Sequence, residues 1–87
     1  MLVEGTFHRL GQRLRELRNS AGETQAAAAA AVGLTRPYLS AIEAGRRNIT
    51  LETLYALAEH FDVDPTELLR PQLPEAEHEN GINTGRN

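Results

Sequence analysis

A chain of 87 residues with 40% hydrophobic and 5% aromatic content, no Trp and no Cys describes one small domain with a thin aliphatic core. The missing cysteines exclude a disulfide framework and a thiolate metal site and fit a reducing cytoplasm, and no apolar run approaches the ~20 residues of a membrane span. The net charge of −3 is unevenly spread: residues 1–50 carry seven arginines against four glutamates, a balance of +3, and residues 51–87 two arginines against eight acids, a balance of −6.

The N-terminal stretch MLVEGTFHRLGQRL lacks a basic segment followed by an apolar one, so no secretory signal is expected. Five helices and no strand are expected along the chain, an all-α fold. The first runs from about Thr6 to Ala21, with Phe7, Leu10, Leu14 and Leu17 at three- and four-residue steps and Gly22 placed to end it. The second opens on Thr24 as N-cap and continues through QAAAAAAV, where alanine favours helix in almost any context. Alanine also brings little apolar area to a core. Gly33 follows, and the third helix runs from the N-cap Thr35 to about Ala44, with Pro37 in its first turn, where a missing N–H does no harm, and Gly45 at its end. The fourth begins at Thr50, with Leu51, Leu54, Leu57, Ala58 and Phe61 as its apolar stripe. The fifth is short. Asp64, Pro65 and Glu67 read as N-cap, first helical residue and capping-box acid, and Val63 and Leu68 are spaced as a hydrophobic staple. These helices define a domain over residues 1–70. Residues 71–87, with prolines, acids, Asn and Gly and no periodicity, read as a flexible acidic tail.

Two helices joined by a three-residue turn containing Gly33 form a helix-turn-helix, in which the second helix enters the DNA major groove N-terminus first. Leu39 and Ile42 would anchor that helix in the core. Arg36, Pro37, Tyr38 and Ser40 would project from its exposed end, with Ala41 farther along. Arg36 is the main candidate for base reading, because a guanidinium fork bridges O6 and N7 of guanine. Pro37 and Ala41 offer only contact with a thymine methyl, while Tyr38 and Ser40 reach a phosphate or a base. Gln25, at the start of the preceding helix, is a candidate phosphate clamp. Thr35, Arg46, Arg47 and Asn48 complete the candidate phosphate contacts, fixing register without reading sequence. The charge asymmetry fits a protein that presents one face to a polyanion.

The stretch TQAAAAAAVGLTRPYLSAIEAGRRNITLETLYALAEHFDVDPTELL resembles the Cro/lambda-repressor type of helix-turn-helix domain, the XRE family, over residues 7–69. The motifs that carry the resemblance are the T-Q opening of helix two, the V-G-L-T turn, the S-x-I-E-x-G close of helix three and the T-L-x-x-L-x-x-L-A of helix four. TRPYLSAIEAGRRNITLETLYAL is also similar to the controller proteins of restriction–modification systems. The resemblance implies a bacterial transcription regulator that binds double-stranded DNA as a homodimer on a pseudo-palindromic operator. It implies DNA contacts at Arg36, Tyr38, Ser40 and Gln25, and a structural ion pair between Arg18 and Glu43. Ala28 stands where the family usually has leucine, which bears on core packing and leaves the reading helix untouched. The leucines of helices four and five exceed what one small core needs, so Leu54, Tyr55, Phe61, Leu68 and Leu69 are expected to divide between core and dimer interface.

Other functions follow from the residues less well. His8, His60 and His78 have no metal-ligand spacing, no nucleophile–base pattern stands out, and no Gly-rich phosphate loop is present. No enzyme activity, cofactor, metal, membrane association or small-molecule substrate is expected. An antitoxin or phage-type repressor shares the DNA chemistry, and the antitoxin would fold its tail on a toxin, but Leu73 and Ile82 are few anchors for that. A protein-interaction module using the same fold would bind no DNA.

Overall fold

The computed structural model describes residues 2–71, with side chains from position 5 onward; the predicted tail lies outside the described residues from position 72. Five helices follow in order: α1 (Leu2–Ser20), α2 (Gln25–Ala31), α3 (Arg36–Glu43), α4 (Leu51–His60) and α5 (Pro65–Leu69). There is no strand among the described residues, and no helix there is long and apolar enough to cross a membrane.

The helix starts are chemical. Thr24, Thr35 and Thr50 hold extended backbone, and their hydroxyls accept the amide N–H of the residue three positions on, at 3.0, 3.2 and 3.1 Å. Asp64 does the same for Thr66 at 2.9 Å. Each cap satisfies one of the donors that a helix start leaves unpaired. Glu67 does not complete the capping box: its carboxylate accepts from Arg70 at 2.9 Å, because a full charge one turn along competes with a neutral backbone N–H.

The ends of α1 to α4 repeat a single motif. After α2, Gly33 adopts φ +77°, its N–H meets the Ala30 carbonyl, and the Leu34 N–H reaches back to Ala29 at 2.8 Å. Two orphan carbonyls are thereby paired, and the left-handed residue reverses the chain toward α3. The same pair of bonds closes α4 around Asp62, at φ 58°, where no glycine signals the stop. The helix begins four residues before the predicted Thr6, because apolar spacing reports only the face a helix buries, and Gly5 weakens the signal of the first turn.

The core gathers Leu10 and Leu14 of α1, Ala28 and Ala29 of α2, Leu39 and Ile42 of α3, Leu54, Leu57 and Ala58 of α4, and Leu68 of α5. Within the alanine run only Ala28 and Ala29 are buried, so the run is an amphipathic helix whose inward face is made of methyl groups. Three expectations change. Leu51 belongs to the α4 stripe by spacing but is 70% exposed, because the first turn of α4 lies beyond the edge of the core. Leu54 and Leu68 keep 2% and 3% of their surface and belong to the interior of one protomer, which removes them from the candidate dimer interface. Tyr55 and Leu69 are exposed, and Phe61 is half-buried with its ring edge-on to His60 at 4.8 Å.

α1 crosses the C-terminal end of α3 at Gly11. A Cβ placed there would stand 2.3 Å from the Ile42 carbonyl oxygen and 2.5 Å from that of Glu43. The glycine thus sets how closely the first helix approaches the third. Gly11→Ala gains about 1 kcal/mol of helix propensity yet is expected to lose about 1–3 kcal/mol net, because two backbones must separate; urea denaturation of the two proteins checks the sign.

Candidate nucleic-acid interface

Three sides of one buried carboxylate organise the surface formed by α2 and α3. Glu43, in the last turn of α3, keeps 1% of its side-chain surface. Arg18 of α1 donates to it twice, Nε to Oε2 at 2.7 Å and Nη2 to Oε1 at 3.1 Å, in the two-pronged geometry that suits guanidinium and carboxylate. Its remaining Nη1 donates to the Glu23 carbonyl at 2.8 Å, tying the α1–α2 turn to the same group. Gln25, the first residue of α2, donates Nε2 to Glu43 Oε1 at 3.0 Å. Arg15 of α1 lies with Nε 3.7 Å from the same oxygen and stays 56% exposed.

Burial by itself pushes the Glu43 carboxyl up. The hydrogen bonds from Arg18 and Gln25 and the charges of Arg18 and Arg15 outweigh it, and the group sits below the usual carboxylate range. The hydrogen bond to Glu43 raises Arg18 in turn, so the pair is ionised at neutral pH.

From this pair the polar chain runs outward. Gln25 Oε1 accepts from Arg36 Nη1 at 3.3 Å, linking the exposed first residue of α3 to the buried carboxylate through one side-chain amide. Gln25 is therefore engaged at both ends, with one amide N–H left for a phosphate. Arg36 and Pro37 are exposed at the tip of α3, while Ser40 and Ala41 are half-buried. Thr35 uses its hydroxyl oxygen as the α3 cap.

Tyr38, expected to reach a phosphate or a base, is engaged within the chain. Its ring packs against the core, its hydroxyl donates to the Asn48 carbonyl at 3.2 Å, and the Arg47 guanidinium lies 5.1 Å from its centroid. It clamps the loop after α3 to the helix. That loop approaches α1 at Gly45, where a Cβ would stand 2.9 Å from the His8 Cα, and it leaves Arg46, Arg47 and Asn48 exposed beside α3. The structure thus brings Gln25 and Arg36 together at one end and Tyr38, Arg47 and Asn48 at the other. Sequence reasoning passed over Arg15; the signal was its place one turn before Arg18, on the α1 stripe that meets α3.

The helix-turn-helix family profile matches residues 14–68, from the second half of α1 to Leu68 of α5, and so includes Arg15, Arg18, Gln25, Arg36 and Glu43. An uncharacterised helix-turn-helix transcriptional regulator of Sinorhizobium fredii, y4dJ, is 42% identical over 62 residues, covering 71% of this chain and 80% of its own. The regulator DdrOP3 of Deinococcus deserti is 43% identical over 61 residues, 70% of this chain and 47% of its own length. Among solved structures, the restriction–modification controller protein C.AhdI of Aeromonas hydrophila is similar at a TM-score of 0.68 and 42% identity, over 71% of this chain and 94% of that one.

Removing Arg18 leaves a buried carboxylate to Gln25 and a distant Arg15. Breaking a buried pair costs about 3–5 kcal/mol, and Arg18→Ala is expected near the lower figure because those two partners remain; equilibrium unfolding measures it. Because the folded-state pKa of Glu43 is lowered, its contribution is complete above the unfolded carboxylate value of about 4.3 and is lost as pH falls through the native value. Glu43→Gln should flatten that acid limb of the stability–pH curve.

Proposed function

The chain belongs to the XRE-type helix-turn-helix family of transcription regulators, which are not enzymes, and from that premise we propose that it is a homodimeric, sequence-specific DNA-binding regulator of the controller-protein kind. The observation that carries this reading is the exposed Arg36 at the leading end of α3, tethered through Gln25 to a buried ion pair. A guanidinium held at the tip of a short rigid helix meets a guanine edge with less side-chain freedom to lose than a free one, and its fork recognises O6 and N7 together.

Gln25 positions Arg36 and offers its second N–H to a phosphate. Thr35, Arg46 and Arg47, with Asn48, flank α3 and fix register on the backbone. Tyr38 contributes by holding the Arg47–Asn48 loop, and Pro37, Ser40 and Ala41 form the rest of the groove-facing surface.

Two copies of α3 in successive major grooves of a pseudo-palindromic operator stand ~34 Å apart. Subunit contacts fall to the large apolar side chains left in water, Leu51, Tyr55 and Leu69, together with half-buried Phe61. Leu51 and Tyr55 are four residues apart on α4 and so share a face.

Duplexes selected from a random pool supply the operator for the decisive comparison. Arg36→Ala should lose about 1–3 kcal/mol of discrimination between the selected and a scrambled duplex; unchanged discrimination removes Arg36 from base reading. Introducing glutamate at both Leu51 and Tyr55 should convert the dimer to a folded monomer in sedimentation velocity and weaken operator binding. A dimer that persists puts the interface elsewhere.

A further inference from the structure

We propose that Arg15 of α1 is an additional phosphate-binding residue, so that the nucleic-acid surface extends onto the first helix. The inference rests on the DNA-binding reading above and adds an element to it. Arg15 lies in the helical stripe that faces the C-terminal end of α3, four residues after Gly11 and three before Arg18.

The placement follows from a shared atom. Glu43 Oε1 receives Gln25 Nε2 at 3.0 Å and Arg18 Nη2 at 3.1 Å, and Arg15 Nε approaches the same oxygen at 3.7 Å. Gln25 in turn accepts from Arg36. Arg15 therefore stands on the side of the molecule from which Arg36 projects, separated from it by one carboxylate and one amide.

Its electrostatics differ from those of its neighbour. Arg18 is nearly enclosed, at 12% side-chain exposure, and its two hydrogen bonds satisfy the carboxylate. Arg15 is 56% exposed, lies beyond hydrogen-bond distance from Glu43, and donates no hydrogen bond from its terminal nitrogens among the described residues. Arg15 and Arg18 approach the carboxylate of Glu43 directly and Arg36 reaches it only through Gln25, while the second carboxylate here, Glu23, faces His60 at 2.8 Å: three guanidinium charges stand against two carboxylates. A positive excess remains on this surface, and more than half of the Arg15 side chain is in solvent. Arg13, on the same helix, is placed differently: its guanidinium donates to the carbonyls of Glu67 and Arg70 at the end of α5. A guanidinium with a carboxylate 3.7 Å from its Nε and no hydrogen bond from its Nη nitrogens among the described residues suits a phosphate oxygen pair.

The test is the salt dependence of binding by the full chain to its selected duplex and to a scrambled one. Each neutralised phosphate contributes about 0.9 to the slope of log K against log salt. Arg15→Gln should lower the slope by about that amount and reduce by about 3-fold the affinity change over a fourfold salt range, equally on both duplexes. Arg15→Lys should keep the wild-type slope, and Arg70→Gln, removing a charge paired with Glu67 on α5, should move it little. Arg15→Gln should lower the thermal midpoint far less than Arg18→Ala, because Arg18 and Gln25 still bond both oxygens of Glu43; a lowered midpoint with an unchanged slope would make Arg15 only a structural partner of Glu43 and overturn the inference. A wild-type slope in Arg15→Gln, with Arg36→Ala still losing discrimination, overturns this inference alone. Absence of salt-dependent binding in the wild-type protein overturns the DNA-binding reading itself.

Discussion

The buried carboxylate of Glu43 is the constraint on which the arrangement depends. An ion taken out of water in a domain this thin is costly unless its oxygens are met from fixed directions. Arg18 meets them from α1 and Gln25 from α2, while the carboxylate rides on the last turn of α3. Three helices are thereby held in one register by a group that tolerates little displacement. Close approach at Gly11 makes the geometry possible, since any side chain there would push α1 off the α3 carbonyls. The placement of the exposed tip of α3 is thus tied to the interior: Arg36 is bonded to Gln25, which is bonded to Glu43.

Stability and recognition draw on different parts of the chain. The apolar core is made largely of leucine on α1, α3, α4 and α5, while α2 contributes only Ala28 and Ala29. A helix of alanines has high intrinsic propensity but little area to bury, so its position relies more on directional bonds. Those bonds are the Thr24 cap, the closing turn at Gly33 and the Gln25–Glu43 contact. α2 in this protein is held at its ends by polar chemistry and in its middle by methyl groups.

Much of this was legible in the sequence, for identifiable reasons. Thr24, Thr35, Thr50 and Asp64 mark helix starts because their side chains supply what the backbone lacks, a local requirement that neighbours seldom override. Leu39 and Ile42 mark the buried face of α3 by spacing alone. The departures came where tertiary context decides. Leu51 has the spacing of a core residue but lies beyond the core's edge, and Leu54 and Leu68 were interchangeable with Tyr55 and Leu69 until the packing separated them. Tyr38 has the position of a base reader, yet a carbonyl ten residues away captures its hydroxyl. Asp62 closes α4 in a conformation that glycine usually announces. The Arg18–Glu43 pair spans 25 residues and was visible only through the family resemblance; Arg15 was not visible at all, because an arginine on an exposed helix face looks the same whether or not a surface continues beside it.

The relay from the interior to the tip is tested most directly by a double-mutant cycle on DNA discrimination, with Gln25→Ala, Arg36→Ala and both together, each measured on the selected and a scrambled duplex. If Gln25 orients Arg36, the two losses are non-additive, with a coupling of about 0.5–3 kcal/mol in the discrimination free energy. Losses that add to within about 0.3–0.5 kcal/mol would show that the tip reads DNA independently of the buried carboxylate, and the account of how the fold positions its reader would be contradicted.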